Sequence, residues 1–172
     1  MGSPPPPQAG LPHPAGLLDR FLARLIDGVG FFVVYFILSA IFSTIFLQDF
    51  NNSVGEILLF SIFLNIASTA VYIGYYAYFE STKGATIGKQ LMKLKVVGPD
   101  GVNHPTMEQA VKRNAFQAIG LIGIVPFIGR FFGPLLSLAA VILIAVGISN
   151  DTITRRGWHD TFAGGTTVLK IG

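Results

Sequence analysis

The stretch RFLARLIDGVGFFVVYFILSAIFSTIFL, residues 20–47, decides the fold. Its last twenty residues, 28–47, carry no charge. About 20 apolar residues are what a helix needs to cross the hydrocarbon of a bilayer. Its first eight carry Arg20, Arg24 and Asp27. An ionised Asp facing lipid costs about 3 kcal/mol near a bilayer centre, so Asp27 must face protein, water or a cation. One solution is structural: Asp27 pairs with Arg24, an i,i+3 neighbour, or with a basic residue from another segment. The other makes it a proton or cation site in a polar cavity. Arg20 lies two helical turns from Asp27 on roughly the same face, too far along the axis for a direct bond.

Composition agrees with a lipid solvent. Of 172 residues, 51% are hydrophobic and 12% charged, with no Cys. Soluble domains carry about 25% charged residues. Without Cys there is no disulfide, thiolate metal site or Cys nucleophile. His13, His104 and His159 stand far apart, so no metal centre is expected, and neither is a cofactor. The formal charge of +3 reads as membrane topology rather than nucleic-acid binding, because the basic residues cluster in particular loops.

Outward from this stretch, residues 1–16 hold six of the ten Pro and read as a disordered, polyproline-II-like tail. The remainder, residues 17–172, reads as one transmembrane domain. A second span covers residues 57–79 and ends in an aromatic cluster, Tyr72 to Phe79, of the kind found at headgroup level. Residues 80–114 are polar. Within them MKLKVV (92–97) followed by Gly-Pro-Asp-Gly reads as a strand and hairpin. Thr106 and Gln109 form a capping-box pattern that starts an amphipathic surface helix, with Lys112 and Arg113 away from its apolar side. Residues 116–128 form a short or re-entrant arm, followed by a bend around Gly129, Gly133 and Pro134 and a span over 131–148. Arg130 is expected to snorkel to headgroups. The C-terminal TTVLKI is a candidate strand.

The fold class is therefore an all-α membrane protein: a small bundle of about four transmembrane or membrane-embedded helices, with an amphipathic helix and a short hairpin loop. With residues 116–128 and 131–148 as a hairpin, eleven of the twelve Lys and Arg share one side. The positive-inside bias then makes the N-terminus, middle loop and C-terminus cytoplasmic, in a multi-pass protein of the cell membrane.

Three motifs in order carry a resemblance. R-x-x-A-x-x-x-D is matched by Arg20, Ala23 and Asp27. G-A-T-x-G-K is matched by Gly84, Ala85, Thr86, Gly88 and Lys89, leading into Leu91, Leu94, Val96 and Val97. R-x-x-H-D is matched by Arg156, His159 and Asp160. Over about residues 17–170 the chain resembles the RDD family of membrane proteins. The resemblance implies that Arg20, Asp27 and Asp160 are the family's named Arg and two Asp, with Arg24, Arg156 and His159 supporting. Gly157 departs from it, standing where many members have a larger residue. The family resemblance implies transport of small ligands for some members and scaffold roles in larger assemblies for others.

The glycines at 84 and 88 miss the Walker spacing, and Gln90 follows Lys89 where Ser or Thr is needed. Nucleotide binding is rejected, and the loop lysines are expected to face anionic lipid headgroups. Adjacent His159 and Asp160 lack a nucleophile motif, so no catalytic residues are assigned. A physical reading of the charges is that Asp160 returns to the mouth of the first helix and pairs with Arg20. The expected function is a non-enzymatic accessory or scaffold subunit of a larger membrane complex, with membrane-protein partners or self-association. The alternative is a transporter or cation/proton exchanger using Asp27 with Arg20.

Overall fold

The computed structural model describes residues 11–47, 53–124 and 128–172, with side chains outside 120 and 122–130. Helix α1 (Leu17–Phe46) and helix α2 (Val54–Lys83) are both 30 residues long. At 1.5 Å per residue each is about 45 Å, longer than the hydrocarbon layer. A Ser53–Glu56 capping box opens α2: the Glu56 amide donates to Ser53 Oγ at 3.3 Å and the Ser53 amide to Glu56 Oε2 at 2.7 Å. Gly84, at φ 70°, closes it in the left-handed region.

A third long helix, α5 (Ile128–Asn150), follows a 3₁₀ segment, Ala115–Ile124. That segment packs against α2 and α5. Ten residues at about 2.0 Å each reach roughly 20 Å, too short to cross alone. The bend expected around Gly129, Gly133 and Pro134 is replaced by continuous helix, with Pro134 inside α5. The Arg130 side chain lies outside the described residues.

The polar ends build a small cap at one end of the helix bundle. Strand β1 (His13–Pro14), helix α3 (Ile87–Leu91), strand β2 (Leu94–Val97), helix α4 (Met107–Asn114), helix α6 (Trp158–Phe162) and strand β3 (Thr167–Lys170) form it. The three strands make one antiparallel sheet in the order β1-β3-β2, with Val96 opposite Val168 and His13 opposite Lys170. This corrects two expectations. The Pro-Asp-Gly turn after β2 leads to no returning strand, because β2 takes the C-terminal strand as its partner. The tail expected to run free to residue 16 is held from His13 onward, and the buried Ala15 amide donates to the Val168 carbonyl at 2.8 Å. Residues 1–10 lie outside the described residues. Ala15, Ala23, Leu94, Val96 and Val168 form the small core under the sheet.

The chain is thus mostly helical, and among the described residues three helices are long and apolar enough to cross a membrane. The N-terminal end of α1 and the C-terminal ends of α2 and α5 meet at the cap. There Asp27 bonds Tyr75, Arg20 bonds Asp160, and Trp158 Nε1 donates to the Ala140 carbonyl of α5 at 3.4 Å.

Candidate functional site: a charge cluster at the helix ends

Asp27 sits one turn beyond Ala23 on the buried face of α1 and accepts four hydrogen bonds. Tyr75 and Tyr76, near the end of α2, donate hydroxyls at 2.8 and 3.2 Å. Thr86 Oγ1 donates at 2.7 Å and the Gly88 amide at 2.8 Å. Both oxygens are engaged twice. Thr86 is itself the N-cap of α3, accepting from the Lys89 amide, and the Tyr75 hydroxyl accepts from the Ile87 amide at 3.0 Å. Among the described residues no Lys, Arg or His nitrogen lies within 4.0 Å of Asp27. The expected pairing with Arg24 or another basic residue is therefore replaced by neutral donors. The stretch after Gly84 turns back onto α1, so α3 offers its first amides and Thr86 where a cation was expected.

Gly88 shows why this contact needs glycine. A Cβ there would lie 2.1 Å from the Ala23 carbonyl oxygen and 2.9 Å from Asp27 Cγ. Ala23 is fully buried against it. At Gly84, positive φ combines with a Cβ position 2.8 Å from the His104 ring.

Beside this clamp lies a buried ionic network. Asp160, in α6, meets Arg20 Nη1 at 3.0 Å and Arg113 Nε at 2.9 Å, and accepts from the Gly157 amide at 3.1 Å. Arg20 also donates to the Ala15 carbonyl at 3.2 Å and the Arg155 carbonyl at 2.6 Å. One guanidinium thereby ties α1, β1 and the α5–α6 connection. Glu80, fully buried near the end of α2, pairs with Lys89, lies 3.7 Å from Arg113 Nη1 and accepts from Asn114 at 3.3 Å. Lys89 is thus turned inward instead of facing lipid headgroups, since Glu80 supplies the anion that makes its burial tolerable. Arg113 likewise points inward. It shares the Ala110–Asn114 face of α4, where i+3 and i+4 coincide, while Lys112 pairs outside with Glu108 at 2.5 Å.

Electrostatics follow from this burial. Burial alone would raise the Asp160 carboxyl, but Arg113, with His159 and Arg20, outweighs it and holds the group well below the usual carboxylate range. Burial pushes the His159 imidazole down to about 3, against the pull of Asp160. Burial also pushes the Lys89 ammonium down to about 8, against the opposing effect of Glu80.

A sequence model of the RDD family matches residues 14–164. The chain belongs to the RDD family. No curated protein and no solved structure matches it. With its long apolar helices, this RDD protein is a membrane protein in a lipid environment.

The RDD motif residues divide between the two halves of the cluster. Asp27 with Gly88 forms the clamp; Arg20 with Asp160 forms the network; Lys89 joins both through α3. Arg24 bonds Asn114 Oδ1 at 3.4 Å and stacks over the Tyr76 and Phe116 rings at 5.2 and 5.0 Å. Arg156 donates to Thr167 Oγ1 at 2.9 Å and holds the start of β3. His159 packs edge-on to Phe116, its Nε2 3.6 Å from Asp160. At Gly157, where the chain departs from the family pattern, a Cβ would meet His159 Nδ1 at 2.7 Å.

Residues missed from the sequence are Glu80, Arg113, Asn114, Tyr75, Tyr76 and Thr86. Two signals were present. Glu80 is the first charge after 23 uncharged residues, and Arg113 is three residues from Ala110 on the same helix face. Nothing in one sequence singles out the tyrosines from the rest of their aromatic belt. Among the described residues, no group of His, Asp and Glu is placed to hold a metal.

Proposed function

We propose that this RDD protein is a non-enzymatic accessory or scaffold subunit of a larger membrane complex, and that its motif charges are a structural lock. The observation that carries this is Asp27. A buried carboxylate with four donors on two oxygens is already coordinated by its own chain. Such a group holds α1, α2 and α3 together; displacing it costs a full set of charge-assisted bonds. Arg20 and Asp160 do the same for both chain ends.

The competing reading, cation/proton exchange through Asp27 with Arg20, finds less support. Arg20 is bonded to Asp160 rather than to Asp27, and Asp27 would have to release several donors for each ion bound. By the positive-inside rule, the cap with its basic residues faces the cytoplasm. Long exposed apolar faces, such as Phe32, Phe36 and Phe131, suit lipid, membrane partners or a second copy.

The test combines two measurements on the full chain. Native mass spectrometry of complexes released in mild detergent should find the protein in stoichiometric association with a larger assembly. Proteoliposomes should give no sodium- or proton-coupled flux beyond empty vesicles. Flux abolished by Asp27→Asn in a variant that still folds sinks the scaffold reading.

A further inference from the structure

One feature of the cap is not explained by a lock. A cavity of about 500 Å³ lies between α1 and α5, where Arg20, Arg24, Lys89, Arg113 and His159 form its floor. Its walls are apolar: Leu17 and Phe21 from α1, and Val141, Ile144, Ala145 and Ile148 from α5. Leu17, Phe21 and Val141 are exposed on the bundle surface, so the cavity opens sideways between two helices that are long and apolar enough to span.

The floor carries more positive than negative charge. Four cationic side chains converge there, and the carboxylates they meet are two, Glu80 and Asp160. Among the described residues Arg24 has no carboxylate within 4.0 Å; its polar contact is Asn114 at 3.4 Å. Arg113 Nη1 and His159 Nδ1 are buried without a hydrogen-bond partner, and both side chains are more than nine-tenths buried. A buried guanidinium N–H is ordinarily paired, since leaving a charged donor unsatisfied costs free energy. Glu80 meets Arg113 Nη1 only at 3.7 Å, within ion-pair but beyond hydrogen-bond distance, and Arg24 meets neither carboxylate.

We propose that the cavity binds one anionic phospholipid, its phosphate drawn to Arg24 and Arg113 and one acyl chain laid along the apolar walls. Charge complementarity identifies the headgroup. The sideways opening identifies the source, since a lipid can enter from its own leaflet without leaving the membrane. A free anion would make no use of the six apolar wall residues. The volume is that of an ordinary small-ligand site, large enough for a headgroup and the adjoining part of a chain. The proposal stands whether or not the protein is an accessory subunit.

The experiment uses the purified full chain in neutral detergent, titrated with phosphatidylglycerol, phosphatidylcholine or inorganic phosphate, with bound species counted by native mass spectrometry. One phosphatidylglycerol per chain is expected to survive delipidation that strips phosphatidylcholine. Arg24→Gln should weaken it about fivefold, the factor given by about 1 kcal/mol per headgroup-facing cation. Ala145→Phe, which fills the cavity from α5 without touching a charge, should abolish retention. Ala145→Phe should keep a near-wild-type melting temperature in lipid-free detergent; Arg24→Gln also gives up its contacts to Asn114, Tyr76 and Phe116, so its retention is read only where it folds, and otherwise Ala145→Phe decides alone. Lys112→Gln, on the outer face of α4, should retain the lipid. Equal retention of the two lipids overturns the proposal, as does retention unchanged by Ala145→Phe. Saturation by inorganic phosphate at the same concentration would make the occupant a free anion. A dimer that Ala145→Phe converts to monomers would make it a second copy. Either result also overturns the proposal.

Discussion

Gly88 and Ala23 touch backbone to backbone: a methyl group on residue 88 would lie 2.1 Å from the Ala23 carbonyl oxygen. The contact lets α3 present an amide to Asp27 on α1. Gly88→Ala must therefore push α3 off α1, at an overpacking cost of about 1–3 kcal/mol. We expect a clearly lowered melting temperature in detergent. Gly28→Ala, where a Cβ meets nothing within 4 Å, should leave the melting temperature almost unchanged.

Asp27→Asn keeps the shape but replaces an acceptor oxygen by an amide donor facing other donors. At least one of the Tyr75, Tyr76, Thr86 and Gly88 donors loses its acceptor, at about 1–3 kcal/mol for a buried group. Hydrogen exchange should rise first at the amides of Ile87 and Gly88. Unchanged protection there would show that the carboxylate does not hold the α3 segment.

Arg20 and Asp160 form an ion pair at 3.0 Å, and Asp160 also faces Arg113 at 2.9 Å. Removing Asp160 leaves Arg20 without a carboxylate partner, at about 3–5 kcal/mol, whereas removing Arg20 leaves Asp160 still paired with Arg113 and should cost less. The third residue alters the outcome of a charge swap. Arg20→Asp with Asp160→Arg sets two guanidiniums against each other at position 113, so the swapped protein should stay as unstable as the single variants. Recovery of the wild-type melting temperature would mean that Arg113 is not part of the network.

His159 gives an acid-side pH dependence. Its ordinary value is 6.5, and in the folded protein burial holds it at about 3. Between these values the unfolded chain takes up a proton that the folded chain refuses, so stability falls as pH drops from about 6.5 towards 3. Asp160 acts in the same direction at lower pH, because its folded value is depressed and its stabilisation is lost as the carboxylate is protonated. Melting curves across pH 4–7 should be flatter for His159→Phe than for wild type.

Gly157 and His159 are coupled by the Cβ position 2.7 Å from Nδ1. Gly157→Ala should destabilise the protein alone and do so far less in a His159→Ala background. A double-mutant cycle measures this coupling, and strict additivity would remove the steric account of Gly157.

Much was legible in one dimension. Apolar runs long enough to span a bilayer mark α1, α2 and α5, because the number of residues needed to cross hydrocarbon is fixed by helix rise. The Thr106–Gln109 cap starts α4 as the local chemistry demands, with the two reciprocal bonds at 2.9 and 3.2 Å. The family motifs are also local strings. Which partners the motif charges choose is not local. Asp27 takes tyrosines 48 and 49 residues away, Arg20 an aspartate 140 residues away, and Lys89 the Glu80 that opens the polar stretch after the second span. The same holds for β2, whose turn signal promised a hairpin while its partner strand came from the far terminus. Sequence sets how many residues must hide from water. Only the packed helices decide which groups meet once hidden, because a buried charge goes to whichever opposite charge or donor the fold brings within bonding distance.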